Sequence, residues 1–586
     1  MQTINLNGLW DFVIDLDPKY HDDRTIGRDA CYARPNWDRR HWQKVPVPGV
    51  WNKYSERLDI YEGVCWFARE FSVPSLPSGA TSLLRFGGVN YRCRIFLNGK
   101  EVGGHEGGYT EFVVDVSEHI RQGTNLLAAQ VDNRATSTRL PPCLGYFNYG
   151  GIHRDVTLEI HSGAFVRNAF VVASPSLHGG HIRVRGEVAK PKAGLKVRVT
   201  CCRDKAVATV DDRNAFNLDL SVSDVRPWSP DTPALYPVSL QLLDGSIVLH
   251  ELSYDVGFRR IEIAGGKIAL NGAPIFLKGV CYVYDSPVYG LSLEPEQFLG
   301  DIALFRELGV NTIRSHFPFT REFYEACDRA GIMVWIEPPI YCIHPKTDAT
   351  NSVFADPEFR RLANSMVEEM ILHARNHPSV IIYGVGNECN TENPEARPFF
   401  QELCDTVRRL DSTRLVSYAS LYGAIGPLAG MVDIIGVNEY WGWYDRIYGS
   451  KGPTPDQRAL QTPETVTIEK IDLRKFEQKL DELKRVARKP MLITEFGADS
   501  IPGYLSQSHE FWSEDYHAQL LRETFAVIEK HPEICGTFPF GFSDYRDPSK
   551  FVNGYWDYMN YKGLVSYERR PKLPFHALKA IYRSRR

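Results

Sequence analysis

From Met1 to about Ser162 the apolar residues fall in short alternating runs broken by Gly, Pro and Asn. Trp66-Phe67-Ala68-Arg69-Glu70-Phe71, Leu83-Leu84-Arg85-Phe86 and Cys93-Arg94-Ile95-Phe96-Leu97 carry the pattern. Side chains of a strand point alternately to its two faces, so this rhythm predicts an antiparallel β-sandwich. Asn98-Gly99-Lys100, between two such runs, reads as a hairpin turn. A second stretch, residues 163–262, has the same strand spacing in His181-Ile182-Arg183-Val184-Arg185-Gly186-Glu187-Val188 and Val197-Arg198-Val199-Thr200. Its length suits one immunoglobulin-like β-sandwich.

After Ile263 the rhythm changes, and apolar strands alternate with amphipathic helices. Strands are predicted over Leu277–Tyr284, Asn311–Phe317, Met333–Pro338, Val380–Glu388, Leu415–Ser420, Asp433–Tyr440, Pro490–Phe496 and Ile534–Phe542. Helices are predicted over Pro295–Leu308, Pro357–Arg375 and Asp472–Val486. Eight such units predict a (β/α)8 TIM barrel over residues 263–586, behind sandwich domains at 1–162 and 163–262. The competing architecture, an open doubly wound sheet, would call for a glycine-rich phosphate loop after a strand, and none is visible.

Composition narrows the functional classes. The chain has 586 residues, 43% hydrophobic and 24% charged, with a formal net charge of -4. So balanced a charge gives no electrostatic reason to expect nucleic acid or a membrane surface as partner. No apolar run approaches the roughly 18 residues of a spanning helix. The N-terminus lacks the basic and apolar regions of a secretory leader, so a cytoplasmic location is expected. The twelve cysteines are scattered without zinc spacing and are expected to be reduced core residues.

In a barrel, reactive groups gather at the C-terminal ends of the strands. The fourth predicted strand ends in Asn387-Glu388 and the seventh in Thr494-Glu495, which sets two carboxylates on one rim. Either alone could cap a helix or pair with an arginine. Together they suit retaining glycoside hydrolysis, in which one carboxyl attacks the anomeric carbon and the other protonates the leaving oxygen. Glu388 is the expected acid and base, with a raised pKa, and Glu495 the expected nucleophile, held ionised. Asn387 is placed to donate to the sugar 2-hydroxyl.

Leu6-Asn7-Gly8-Leu9-Trp10, Asn148-Tyr149-Gly150-Gly151-Ile152-His153-Arg154, Ile313-Arg314-Ser315-His316, Gly386-Asn387-Glu388 and Thr494-Glu495-Phe496-Gly497 together resemble glycoside hydrolase family 2. The resemblance covers nearly the whole chain. It implies a jelly-roll, immunoglobulin-like and barrel order, the same acid/base and nucleophile, and sugar contacts from His316, Tyr440 and Tyr444. It implies neither metal nor organic cofactor, and a homo-oligomer, with the sandwiches as scaffolding and subunit contact surfaces.

Asn560-Tyr561-Lys562 looks like the Asn-x-Lys motif with which the β-glucuronidase branch of that family grips the C6 carboxylate of a uronic acid. A lysine withdrawn from water favours an anionic partner, and a neutral hexoside would leave it unpaired. The chain departs from that branch at Gly145, where an Asp is familiar, and at Trp556, where an Arg is familiar. Both bear on the configuration at C4. Phe540 replaces a familiar Trp and keeps an aromatic face for the sugar. The expectation is therefore an exo-β-hexuronidase, galacturonide ahead of glucuronide with dual activity open. A β-galactosidase and a noncatalytic carbohydrate-binding protein are the alternatives.

Overall fold

The structure, a computed structural model, describes residues 1–15, 30–136, 138–141, 145–345, 352–421, 423, 425–445, 471–487, 489–550 and 558–585. The first sandwich packs a four-stranded sheet (Gln2–Asn5, Val156–His161, Thr81–Phe86, Phe112–Asp115) against a six-stranded one. Trp10, Phe12, Trp51, Phe67, Leu84 and Phe86 fill the space between them. The Asn98-Gly99 turn joins Arg92–Leu97 to Lys100–Glu106 with Leu97 opposite Lys100. Both turn residues have positive φ, at 53° and 83°, which an Asn-Gly pair adopts at low steric cost.

The second sandwich packs three strands, Phe165–Ser176, Gly179–Ala189 and Ala215–Val222, against four, Asp204–Thr209, Lys196–Cys201, Tyr236–Asp244 and Ile247–Val256. Inward-facing Val, Leu and Ile residues alternate with exposed ones along these strands, as in the burial pattern of Ala215–Val222.

Eight parallel strands then close a barrel. They are β1 (Leu277–Cys281), β2 (Thr312–Ser315), β3 (Met333–Ile336), β4 (Val380–Asn387), β5 (Leu415–Leu421), β6 (Ile434–Asn438), β7 (Met491–Glu495) and β8 (Ile534–Thr537). All eight predicted strands are present, seven of them shorter than predicted and β5 one residue longer. Helices α1 (Pro295–Leu308), α2 (Arg321–Ala330), α3 (Pro357–Ala374), α4 (Ala396–Leu410), α5 (Arg474–Ala487), α6 (Glu514–Ile528) and α7 (Leu573–Ser584) surround it. The chain itself sets their ends. Asp356 caps α3 through the backbone N–H groups of Glu358 and Phe359, with Pro357 in the first turn. Gly331 closes α2 at φ 72°, where a side chain would also strike the carbonyl of Pro230. Met333, Trp335, Ile382, Leu415, Ile434, Leu492 and Phe538 pack the barrel interior.

Both sandwiches are tied to the barrel by buried arginines that donate to backbone carbonyls. Arg154 reaches Pro318 O at 2.6 Å and Tyr109 O at 2.8 Å. Arg259 reaches Val380 O at 2.8 Å and Pro378 O at 3.0 Å, at the N-terminal end of β4. The cysteines correct the expectation of a uniformly buried set: Cys202 is exposed, and Cys31 and Cys342 are partly so.

Candidate active site

The ends of β2, β3, β4, β6 and β7 meet around one arginine. Arg314, at the end of β2, is 1% exposed. Its guanidinium donates to Glu337 Oε1 (2.8 Å) and Oε2 (3.1 Å), to Glu495 Oε1 (2.9 Å) and to Asn387 Oδ1 (2.8 Å). It also lies 5.1 Å from the ring centroid of Trp335. Glu337 is engaged a second time by His316 Nδ1 at 2.8 Å, while His316 Nε2 lies 3.5 Å from Glu495 Oε1. A buried charge is costly unless paired and hydrogen-bonded, and here every member of the network is both. Gly384 makes the arrangement possible. A Cβ on that strand residue would fall 2.4 Å from Glu337 Cγ, so only glycine lets Glu337 lie across β4.

Glu495 ends β7 with its two oxygens in different surroundings. Oε1 faces Arg314 and His316, and Oε2 accepts the Tyr440 phenol at 2.8 Å. Burial alone would raise its pKa, but the His316 hydrogen bond and the Arg314 charge outweigh it and hold the carboxyl down at about 2. Glu388 is the opposite case. Burial and the neighbouring charge of Glu495 push it up to about 7, against a 2.6 Å hydrogen bond from Asn438 Nδ2 to Oε1. Its backbone sits at φ 49°, in the left-handed region, and its N–H is pinned to Ala419 O at 2.9 Å. Such a conformation is disfavoured for a residue with a side chain and persists only where the surroundings impose it. The two neighbouring carboxyls thus stand in opposite protonation states near neutrality.

Asn387 is oriented by its acceptor. Oδ1 takes N–H groups from both Arg314 and Asn438 (3.0 Å), which commits its amide nitrogen to a donor role. The chain after β3 pairs alongside, with Asn387 N donating to Ile340 O at 3.0 Å and Cys342 N to Asn387 O at 2.9 Å. Cys389 closes the site from behind. Burial pushes its thiol up to about 12, and its backbone N–H takes the Tyr418 hydroxyl as acceptor at 2.8 Å, so it braces the turn after Glu388 as an inert group.

An adjoining cluster holds the motif near the C-terminus. Asn560 Nδ2 donates to the Tyr545 hydroxyl (2.9 Å) and to Asp547 Oδ2 (3.2 Å). Lys562 Nζ lies 4.8 Å from the Tyr444 ring centroid, 5.8 Å from that of Tyr440 and 6.0 Å from that of Trp443. It also forms an ion pair with Asp499, both side chains being 1% exposed. The sequence-based picture of Lys562 as an ammonium lacking an anion is thereby corrected. The charge is matched inside the protein, by a residue four positions beyond the end of β7.

Aromatic rings wall the cleft. His316 stacks on Tyr341 with centroids 5.6 Å apart, and Phe540 lies 6.3 Å from His316. Tyr146, from the first sandwich, stacks on Tyr545 at 5.6 Å and meets His316 edge to face at 5.8 Å. The sandwich therefore furnishes part of the cleft, a role beyond the expected scaffolding and subunit contact surfaces. Glu388, Glu495, Asn387, His316 and Tyr440 stand in one group, with Tyr444, Asn560, Lys562 and Phe540 beside it; Trp556 lies outside the described residues. Sequence reasoning missed Arg314, Glu337, Asn438 and Asp499. All four stand at or just beyond strand C-termini, so the rule that found the two glutamates could have found them. Tyr146, on a sandwich loop, carried no such signal.

Carboxyls in opposite protonation states at the C-terminal mouth of a TIM barrel, in an aromatic cleft, are the equipment of a glycoside hydrolase. The chain belongs to glycosyl hydrolase family 2: it matches the family's TIM barrel domain over residues 261–585, its sugar binding domain over 4–161 and the domain between them over 165–259. It is a glycoside hydrolase. A β-glucuronidase of Paenibacillus borealis is 26% identical over 615 aligned positions, covering 98% of this chain and 96% of the relative. A β-galacturonidase of Eisenbergiella tayi, solved bound to galacturonate, is 28% identical with a TM-score of 0.82, covering 100% of this chain and 97% of that one. A Bifidobacterium dentium β-glucuronidase, 23% identical with a TM-score of 0.86 over 99% and 97% of the two chains, shares the fold.

Proposed function

We propose that this glycoside hydrolase is a retaining exo-β-D-hexuronidase that removes terminal β-linked uronic acids, galacturonides ahead of glucuronides. The observation that carries the reading is the opposite protonation of Glu388 and Glu495 beside a lysine-bearing aromatic pocket. Glu495 attacks the anomeric carbon through Oε2, held among the described residues by the neutral Tyr440 phenol, because Oε1 is tied to Arg314 and His316. Glu388 gives its proton to the departing glycosidic oxygen and becomes a carboxylate. A glycosyl ester on Glu495 results, and Glu388, now a base, takes a proton from the water that opens it. Asn387 donates to the 2-hydroxyl, a contact that strengthens as positive charge develops on the ring. Lys562 and Asn560 face the C6 carboxylate.

The tilt toward galacturonide rests on the joint absence of the familiar Asp at Gly145 and the familiar Arg at Trp556, the latter outside the described residues. A side chain at position 145 would begin 3.9 Å from Asp547 Oδ2, so a carboxylate from the barrel stands near that place but approaches it from another element. One observation favours a second reading: the existing pair between Lys562 and Asp499 would let a neutral hexoside bind without stranding a charge. Initial rates on aryl β-D-galacturonide, β-D-glucuronide and β-D-galactoside separate these readings. Galacturonide is expected to lead, glucuronide leading would overturn the C4 assignment, and galactoside leading would overturn the uronide reading. NMR of the first-formed sugar should show the β-anomer.

A further inference from the structure

The charges around Lys562 do not leave it a full positive charge to offer. Asp499 Oδ2 pairs with its ammonium, while Asp499 Oδ1 takes the backbone N–H of Tyr561 at 3.0 Å. A carboxylate arriving beside Lys562 therefore meets the field of Asp499 as well, and the two largely cancel. A second ammonium stands in the same cluster. Lys550 is 5% exposed, its Nζ lies 2.9 Å from the Tyr444 hydroxyl, and the ring that carries that hydroxyl also carries Lys562. Burial would lower its pKa, but Tyr444, Asp499 and Asp547 outweigh burial and keep Lys550 charged.

Asp547, the nearer acid along the chain, is already engaged. Its Oδ1 accepts Ser549 N (3.0 Å) and Ser549 Oγ (2.6 Å), and its Oδ2 accepts Asn560 Nδ2 (3.2 Å). The same turn brings Lys550 N to Asp547 O at 3.0 Å, so Asp547 shapes the loop that presents Lys550 beside Asn560. Among the described residues Lys550 Nζ makes one hydrogen bond, to a phenol, and retains further donors. Asp499 and Asp547 act on this ammonium through their fields, but its direct bond is to a hydroxyl, which leaves donors for an arriving carboxylate.

We propose that Lys550 is a specificity-determining residue that binds the C6 carboxylate of the substrate together with Lys562 and Asn560. Resting on the uronide reading, this makes Lys550 the cationic donor of the acid-binding pocket that is not directly ion-paired, with the Lys562 and Asp499 pair as its polar floor. The test compares kcat/KM on aryl β-D-galacturonide and aryl β-D-galactoside for the wild type, Lys550→Met and Lys550→Arg. Losing a charge-assisted contact should lower the uronide to galactoside ratio of Lys550→Met about 10- to 100-fold, chiefly through KM, and Lys550→Arg should recover part of it. An unchanged ratio, whether both rates fall together or neither falls, overturns the assignment. If Lys550→Met does not fold, Lys550→Gln keeps a donor to Tyr444 without the charge and reads the same ratio. A wild type that prefers galactoside overturns the uronide reading and this proposal with it, whereas a uronide-preferring wild type with an unchanged variant ratio overturns Lys550 alone.

Discussion

Two glutamates of the same chemistry differ here by their neighbours alone. Glu495 has Arg314, His316 and Tyr440 around it, whereas Glu388 has a neutral amide and the negative charge of Glu495. The sign of the pH dependence follows. The proposed mechanism needs Glu388 protonated, so kcat/KM should decline as pH rises through about 7, and it needs Glu495 ionised, so the acid limb should lie far below, toward about 2. The two titrate as a pair, so the measured values belong to the pair. Replacing Glu388 with Gln should remove the alkaline limb and lower kcat/KM roughly 100- to 10,000-fold on substrates with poor leaving groups. A pH profile of kcat/KM for both proteins checks this; an alkaline limb that survives in Glu388→Gln would assign it to another group.

At the scale of elements, β4 does two jobs through one sequence. Its apolar residues pack both faces of the barrel wall, and its Gly384 leaves room for Glu337 to reach Arg314 and His316. Gly384→Ala should push Glu337 aside, cost about 1–3 kcal/mol of stability as an overpacked site, and lower kcat/KM more than tenfold. Urea unfolding and steady-state rates measure the two effects. A variant with wild-type kcat/KM would show that Glu337 does not need its present position. The barrel strands were legible because period and length survive in any one segment, and so were the glutamates at their ends. The role of Gly384 was not legible, because the atom it accommodates belongs to a neighbouring strand.

On the scale of the whole molecule, the first sandwich and the barrel form one site. Tyr146 enters the cleft, and Arg154 holds the sandwich to the loop after β2 through the carbonyls of Pro318 and Phe319. Arg154→Met should strand these buried acceptors and destabilise the protein by about 2–4 kcal/mol. It should also raise KM as Tyr146 loses its position. Thermal unfolding alongside KM tests the link, and a loss of stability without any change in KM would separate the interface from the cleft.

The sequence by itself determined the three-part order, the eight strands and the rim on which Glu388 and Glu495 stand, because alternation, helical period and strand ends are properties of neighbours in the chain. Tertiary structure supplied the neighbours that set the two carboxyls apart, and it alone matched Lys562 with Asp499 and set Lys550 beside Tyr444. Arg314 and Glu495 are 181 residues apart and Lys562 and Asp499 are 63 apart. Fields and hydrogen bonds act over a few ångströms of space, so their partners are known only once the chain has closed.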